Sequence, residues 1–355
     1  MKNRFGLHPG VGAALGAALL FGAGTPLAKL LLAGTSPWLL AGLLYLGSGL
    51  GLTLWRLLRR SEMRARLAPG EGPWLAGAVL AGGVIGPVLL MWGLARMPAS
   101  GAALLLNAEG VFTAVIAWLV FRENVDRRIF IGMLAIVAGA LVLSWPGQAQ
   151  ASFGDALPAL AVLGACLAWG IDNNLTRKVA LADAVWLASV KGLVAGATNL
   201  TLALALGATW PAAPQVAGAL AVGLAAYGFS LVLFVVALRH LGTARTGAYF
   251  SVAPFFGALV AVLGLGEAVT TPLLIAGALM AIGVWLHLSE RHEHEHAHEA
   301  LDHEHEHEHD LHHQHEHNVP TVLAPGAAHT HRHRHEPMHH DHAHFPDAHH
   351  QHRHR

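Results

Sequence analysis

Through the first 290 residues, apolar positions run together in blocks of about 20, parted by short polar or basic breaks. A block of that length crosses the hydrocarbon core of a bilayer as an α-helix. Ten are read, at about 11–33, 37–55, 74–95, 99–121, 129–145, 156–175, 184–206, 214–237, 243–265 and 270–288. Arg56 to Glu71 is a full loop, whereas the third and fourth blocks are parted only by Arg96-Met97-Pro98. The first block runs on into Thr25-Pro26 and Lys29 and shows no small-residue cleavage site, so it reads as a span and not as a signal peptide.

Composition sharpens the picture. The 65 residues from Arg291 onward hold 24 of the 27 histidines and 17 of the 44 charged residues. The preceding 290 keep 27 charges, about 9%, against about 25% in soluble domains. Too few charges remain to face a water-soluble globule. The single cysteine, Cys166, lies in an apolar run, which excludes a disulfide scaffold and a Cys-rich metal site. Net charge is zero with neutral His, so nucleic acid is not an expected partner. The expectation is an all-α polytopic membrane protein of ten transmembrane helices followed by a disordered, His-rich tail.

Lys and Arg in the breaks set the orientation. Alternate segments carry Lys2 and Arg4, five arginines in Arg56–Arg66, then Arg122, Arg127 and Arg128, Arg177 and Lys178, Arg239 and Arg245, and Arg291. That puts 15 basic residues on one side of the membrane and Arg96 alone on the other. Both termini are expected in the cytoplasm, and the lipid bilayer of a bacterial inner membrane is the expected setting.

The halves resemble each other. Leu20-Phe21-Gly22 with Thr25-Pro26 and Lys29 aligns, 148 residues on, with Ala168-Trp169-Gly170, Asn173-Asn174 and Arg177. Gly93–Ala99 aligns with Ala237–Thr243, and Phe112 and Glu123 with Phe256 and Glu267, at an offset of 144. Five spans per half is odd, so the second copy is inverted. The expected organisation is a first repeat at 1–148, an inverted second repeat at 149–290 and a tail at 291–355. Inverted repeats build alternating-access transporters with the substrate site near the midplane.

These residues resemble the EamA-type carriers of the drug/metabolite transporter superfamily. The resemblance lies in the small-aromatic-Gly pattern followed by Lys29, the basic hinge at Arg96, and the closing Phe121-Arg122-Glu123. It covers about 10–288 and implies ten helices in two inverted five-helix repeats. It further implies transport of amino acids, metabolites, drugs or nucleotide sugars, commonly as export, with no cofactor required. The segment Trp169–Lys178 is more polar than that pattern.

An ionisable side chain inside a span costs about 2.5–3.5 kcal/mol on insertion scales, so each needs a reason. Glu109 sits mid-span beside Asn107 and Gly110, and reads either as a substrate or proton-coupling group or as a structural hydrogen-bonding group. Lys29 reads as a cation reaching the outer interface or as a cavity partner for Glu109. Asp172 and Lys191 lie at similar depth in adjacent antiparallel spans and are expected to meet as a neutralising pair. Asn173 and Tyr249 are further cavity candidates. Pro26, Pro87 and Pro254 remove helix hydrogen bonds within spans. Gly47/Gly51, Gly82/Gly86 and Gly192/Gly196 offer faces for close helix packing.

The tail has almost no large apolar residues and is not expected to fold alone. His292, His294, His296, His298, His303, His305, His307 and His309 interleave with carboxylates, a donor set suited to Zn or Ni without a unique site. The string His292-Glu293…His296 matches the zinc-protease HExxH pattern, but that chemistry needs a stable helix and a cavity. Three roles remain for the tail: a metal buffer or sensor, a pH-responsive polyelectrolyte, or a dispensable extension. For the whole chain the first expectation is a non-enzymatic secondary transporter of a small solute with a metal-binding tail. The alternatives are a carrier of divalent transition metals, or a membrane-anchored metal sensor or buffer with little transport.

Overall fold

The computed structural model describes residues 9–59, 67, 69–121, 127–144, 153–179, 182–288 and, in the tail, 293–298, 301–307, 329–335 and 338–343. Among them, seven helices are long and apolar enough to cross a membrane, and three shorter apolar helices (Phe130–Ser144, Ala253–Leu265 and Thr271–Leu286) complete ten spans. Helices are the form such sequences must take in lipid, because no water is present to satisfy an open backbone.

Span 1 is α1 (Pro9–Leu31) and span 2 is α2 (Pro37–Arg59). Span 3 consists of α3 (Gly72–Ala78), a π-helical stretch (Val79–Ile85) and α4 (Gly86–Leu94). Span 4 is broken into α5 (Ala99–Leu105) and α6 (Ala108–Phe121), and span 5 is α7 (Arg127–Ser144). In the second half, span 6 is α8 (Phe153–Thr176) and span 7 is α9 (Ala184–Ala205). Span 8 begins with α10 (Ala213–Val222) and a second π-helical stretch (Gly223–Phe229). It then continues into α11 (Ser230–Phe250); α12 (Ala253–Leu265) and α13 (Thr271–Leu288) follow. The expected break near Arg239 is absent, since α11 runs through it unbroken. The interruption falls instead at Ser251–Val252, inside the stretch read as span 9. The second half has no proline matching Pro98 to stop the helix there.

The packing pairs reveal the inverted duplication. Span 2 packs on span 7 and span 5 on span 10, each against its own repeat mate. The other contacts exchange: span 1 packs on spans 8 and 9, and span 6 packs on spans 3 and 4. The span 2–span 7 contact is close enough to require glycine. A Cβ on Gly49 would meet the Gly192 and Leu193 backbone, and one on Gly192 would meet the Gly49 backbone. Large apolar side chains such as Leu30, Leu57, Leu141 and Leu263 face outward, as a lipid-covered belt requires.

In the tail, β1 (Glu293–His298) pairs antiparallel with β4 (Met338–Ala343), and β2 (Leu301–His307) with β3 (His329–His335). The His/Glu alternation has the period of two that a strand requires. A two-stranded ladder has no core of its own and is marginal in water. His292 and His309 lie outside the described residues.

Candidate substrate site

The middle of span 3 reads Gly82-Gly83-Val84-Ile85-Gly86-Pro87. Pro87 has no N–H, so the turn preceding it lacks its donor, and the helix widens to π geometry there, with the Gly86 N–H reaching back to Ala81 O. The carbonyls set free are taken by side chains from three other spans. Tyr45 Oη (2.7 Å) and Trp169 Nε1 (2.9 Å) donate to Gly82 O, and Asn199 Nδ2 (2.9 Å) donates to Gly83 O.

Span 8 repeats this feature at an offset of 144 residues. Its π stretch is Gly223–Phe229 against Val79–Ile85, and the Ser230 N–H reaches Ala225 O. Span 4 breaks at Leu106–Asn107 and span 9 at Ser251–Val252. All four inner spans are therefore interrupted at their middles, two in each repeat.

Beside the span 4 break, Glu109 Oε1 accepts from Asn173 Nδ2 (2.8 Å), and the same amide donates to Thr113 Oγ1 (3.2 Å). Asn174 ties span 6 to Thr113 O (3.1 Å) and Gly170 O (2.8 Å). Both Asp172 oxygens receive Lys191 Nζ (2.6 and 2.8 Å), and Thr176 Oγ1 donates to Oδ1 (2.7 Å). Asn173 and Asn174 thus both reach span 4 at Thr113, while Asp172 faces Lys191 of span 7.

Rings fill the space between the halves. Phe21 meets Trp169 edge-on, with centroids 5.9 Å apart, and these two are repeat mates. Phe21 also meets Tyr227 (6.0 Å) and Phe250 (5.4 Å), and Tyr45 meets Tyr227 (5.3 Å). Phe21, Tyr45, Glu109, Thr113 and Asn173 are all only half-buried, although they sit at the centre of the bundle.

The end of span 1, the end of span 3 and the start of span 4 are tied by two charged groups. Lys29 Nζ donates to Leu94 O (2.6 Å) and Met97 O (2.9 Å), capping the end of span 3. Glu267 receives the Ala99 N–H (2.7 Å) and the Ser100 N–H (2.8 Å) at the start of span 4. Gly266 makes this possible, since its φ of 68° turns the chain back after α12. Partial burial pushes the Glu267 carboxyl up, but the Ser100 and Ala99 hydrogen bonds and the nearby Lys29 outweigh it and hold the group below its ordinary value.

The profile of the EamA-like transporter family matches residues 8–145 and again 156–289. The chain belongs to that family. It is similar to an uncharacterized transporter of Methanothermobacter thermautotrophicus, 29% identical over 289 residues, covering 76% of this chain and 83% of the relative. It is also similar to the probable 4-amino-4-deoxy-L-arabinose-phosphoundecaprenol flippase subunit ArnE of Pseudomonas aeruginosa, 38% identical over 110 residues, covering 30% of this chain and 92% of that one. A solved crystal structure superposes with a TM-score of 0.61 at 18% identity, covering 78% of this chain and 94% of its own. That likeness concerns the fold.

Within this EamA bundle, Glu109 and Asn173 come together, and so do Asp172 and Lys191. One expectation needs correction. Lys29 does not reach Glu109; two carbonyls at the end of span 3 hold its amine. Asn107 Nδ2 donates to Leu104 O (3.0 Å) and touches Met280 Sδ (3.7 Å). Tyr249 packs among Ala13, Leu233 and Val236 between α1 and α11. The residues passed over were Tyr45, Trp169, Asn199 and Glu267. Pro87 behind two glycines signals freed carbonyls, and Glu267 was visible as a repeat mate of Glu123. Among the described residues, no three of His, Cys, Asp and Glu converge as metal ligands do.

Proposed function

We propose that this membrane carrier moves a small solute by alternating access across a bacterial inner membrane, with both termini in the cytoplasm and net movement outward. The observation carrying this reading is the matched interruption of spans 3, 4, 8 and 9. Broken helices at corresponding places in inverted repeats are where transporters hold substrate and where halves rock. Glu109, Asn173 and the Phe21–Tyr45–Trp169–Tyr227 rings are the proposed lining. The Lys29 and Glu267 ties make the outer end the closed one. The ArnE relatives, named as flippase subunits, support movement of a solute and not chemistry upon it.

For the tail we propose loose binding of Zn or Ni by the His/Glu alternation, as a buffer or sensor separate from the solute path. The test is transport by proteoliposomes over a panel of amines, amino acids, drugs and metal ions, with the full chain and with a chain ending at Glu290. Expected is one solute class moved equally by both forms, with metal dependence only in the full chain. Metal ions as the moved species in both forms would replace this reading with metal transport. No movement of any solute, with metal bound, would favour a sensor.

A further inference from the structure

We infer that the pocket wall formed by Glu109, Asn173 and the rings of Phe21, Tyr45, Trp169 and Tyr227 binds the ammonium group of an organic monocation. This names the substrate class of the site proposed above and rests on that carrier reading.

The first ground is charge balance. Three carboxylate or ammonium side chains lie deep in the bundle among the described residues: Glu109, Asp172 and Lys191. All three Lys191 protons are engaged, with Asp172 Oδ1 (2.6 Å), Asp172 Oδ2 (2.8 Å) and Thr176 Oγ1 (3.1 Å), so this cation is unavailable to Glu109. Lys29 is spent on two carbonyls at the outer end. Glu109 is left with the neutral Asn173 amide and no ion pair among the described residues. An uncompensated carboxylate inside a membrane protein is costly and draws a positive partner. A proton or a bound cation must supply the balancing charge.

The second ground is the ring cluster. Trp169 precedes Asn173 by four residues and so lies on the same face of α8, one turn along. The Asn173 amide that holds the carboxylate therefore stands one turn from a set of aromatic rings whose faces attract cations. Gly110, next to Glu109, is exposed, and nothing lies within 4 Å of the Cβ a larger residue would carry there. The donor set also selects among cations. Inorganic cations seek several oxygen ligands at once, whereas one carboxylate with ring faces matches an ammonium on an apolar body. An anion would add a second negative charge, and a zwitterion would bring a carboxylate with no cation to meet it.

The test uses the purified full chain in lipid nanodiscs and measures binding of phenethylammonium, its neutral isostere phenethyl alcohol, and phenylacetate by calorimetry. Phenethylammonium should bind at least about tenfold tighter than the alcohol, as a desolvated cation–ring and charge contact implies, and phenylacetate should not bind. Glu109→Gln should bring the ammonium down to the alcohol's affinity, and Glu109→Asp should restore part of the difference. Equal binding of ammonium and alcohol by the unaltered chain would overturn the inference without recourse to any variant, as would unchanged ammonium binding by Glu109→Gln. Should the solute panel then reveal transport of a neutral or anionic solute, the carrier reading stands and this assignment alone falls.

Discussion

Asp172 and Glu109 are carboxylates in the same bundle, on spans that touch, and their surroundings are opposite. Asp172 has a lysine on both oxygens and a threonine hydroxyl beside it, and its charge is cancelled within the fold. Glu109 has one amide donor and a ring cluster nearby. A charge the fold has already balanced holds helices together. A charge the fold leaves open is balanced by whatever enters. On the proposed reading, the comparison separates a structural acid from a working one by their partners.

Four variants would break or sharpen that contrast. The largest effect expected is on function. Glu109→Gln should abolish solute transport while changing stability by about 1 kcal/mol or less, the net worth of one neutral hydrogen bond. Transport assays and thermal melts on the same preparation decide it, and retained transport would return Glu109 to a structural role. Next, Lys191→Met should lower stability by about 3–5 kcal/mol, because it leaves Asp172 buried without its cation, and adding Asp172→Asn should recover most of that loss. A double variant no better than the single would mean that Asp172 is not the group being neutralised.

Asn199→Leu should cost about 1–3 kcal/mol by leaving the Gly83 carbonyl unmet beside Pro87. Its melt should fall clearly more than that of a conservative change at exposed Leu57. The smallest effect expected is that of Glu267→Gln, about 1 kcal/mol or less from a weakened contact with the start of span 4. Because the Glu267 carboxyl is held below its ordinary value, its tie is present throughout neutral pH. The tie is lost only as pH falls through that lowered value. In labelling of a cysteine placed at the outer end, the unaltered chain should open on acidification below the usual carboxylate range. The Gln variant should show no such step.

Much of this architecture was legible from residue order. Ten spans follow from apolar length. The Asp172–Lys191 pair follows from two antiparallel spans placing opposite charges at one depth. The π stretches were not legible, because an apolar run shows the same pattern whether its turn holds 3.6 residues or more. Only Pro87 behind Gly82-Gly83 carried a hint. Nor was the fate of Lys29: its amine reaches carbonyls 65 and 68 residues away, a match of shape that no spacing rule encodes. The break in span 4 at Leu106–Asn107 was not legible either, since the apolar run continues through it.

Span 3 and span 8 share a π turn at matched positions, yet only span 3 has a proline beneath it; Leu231 stands where Pro87 would be. The turn in span 3 is pinned by chemistry, since no shift of register gives Pro87 an N–H, and three side chains hold the released oxygens. The turn in span 8 carries no proline, so nothing in its own backbone forbids the narrower α-helical register. Two halves alike in shape thus differ in what fixes the turn. For a carrier of the proposed kind, that difference makes span 8 the half whose backbone can change register.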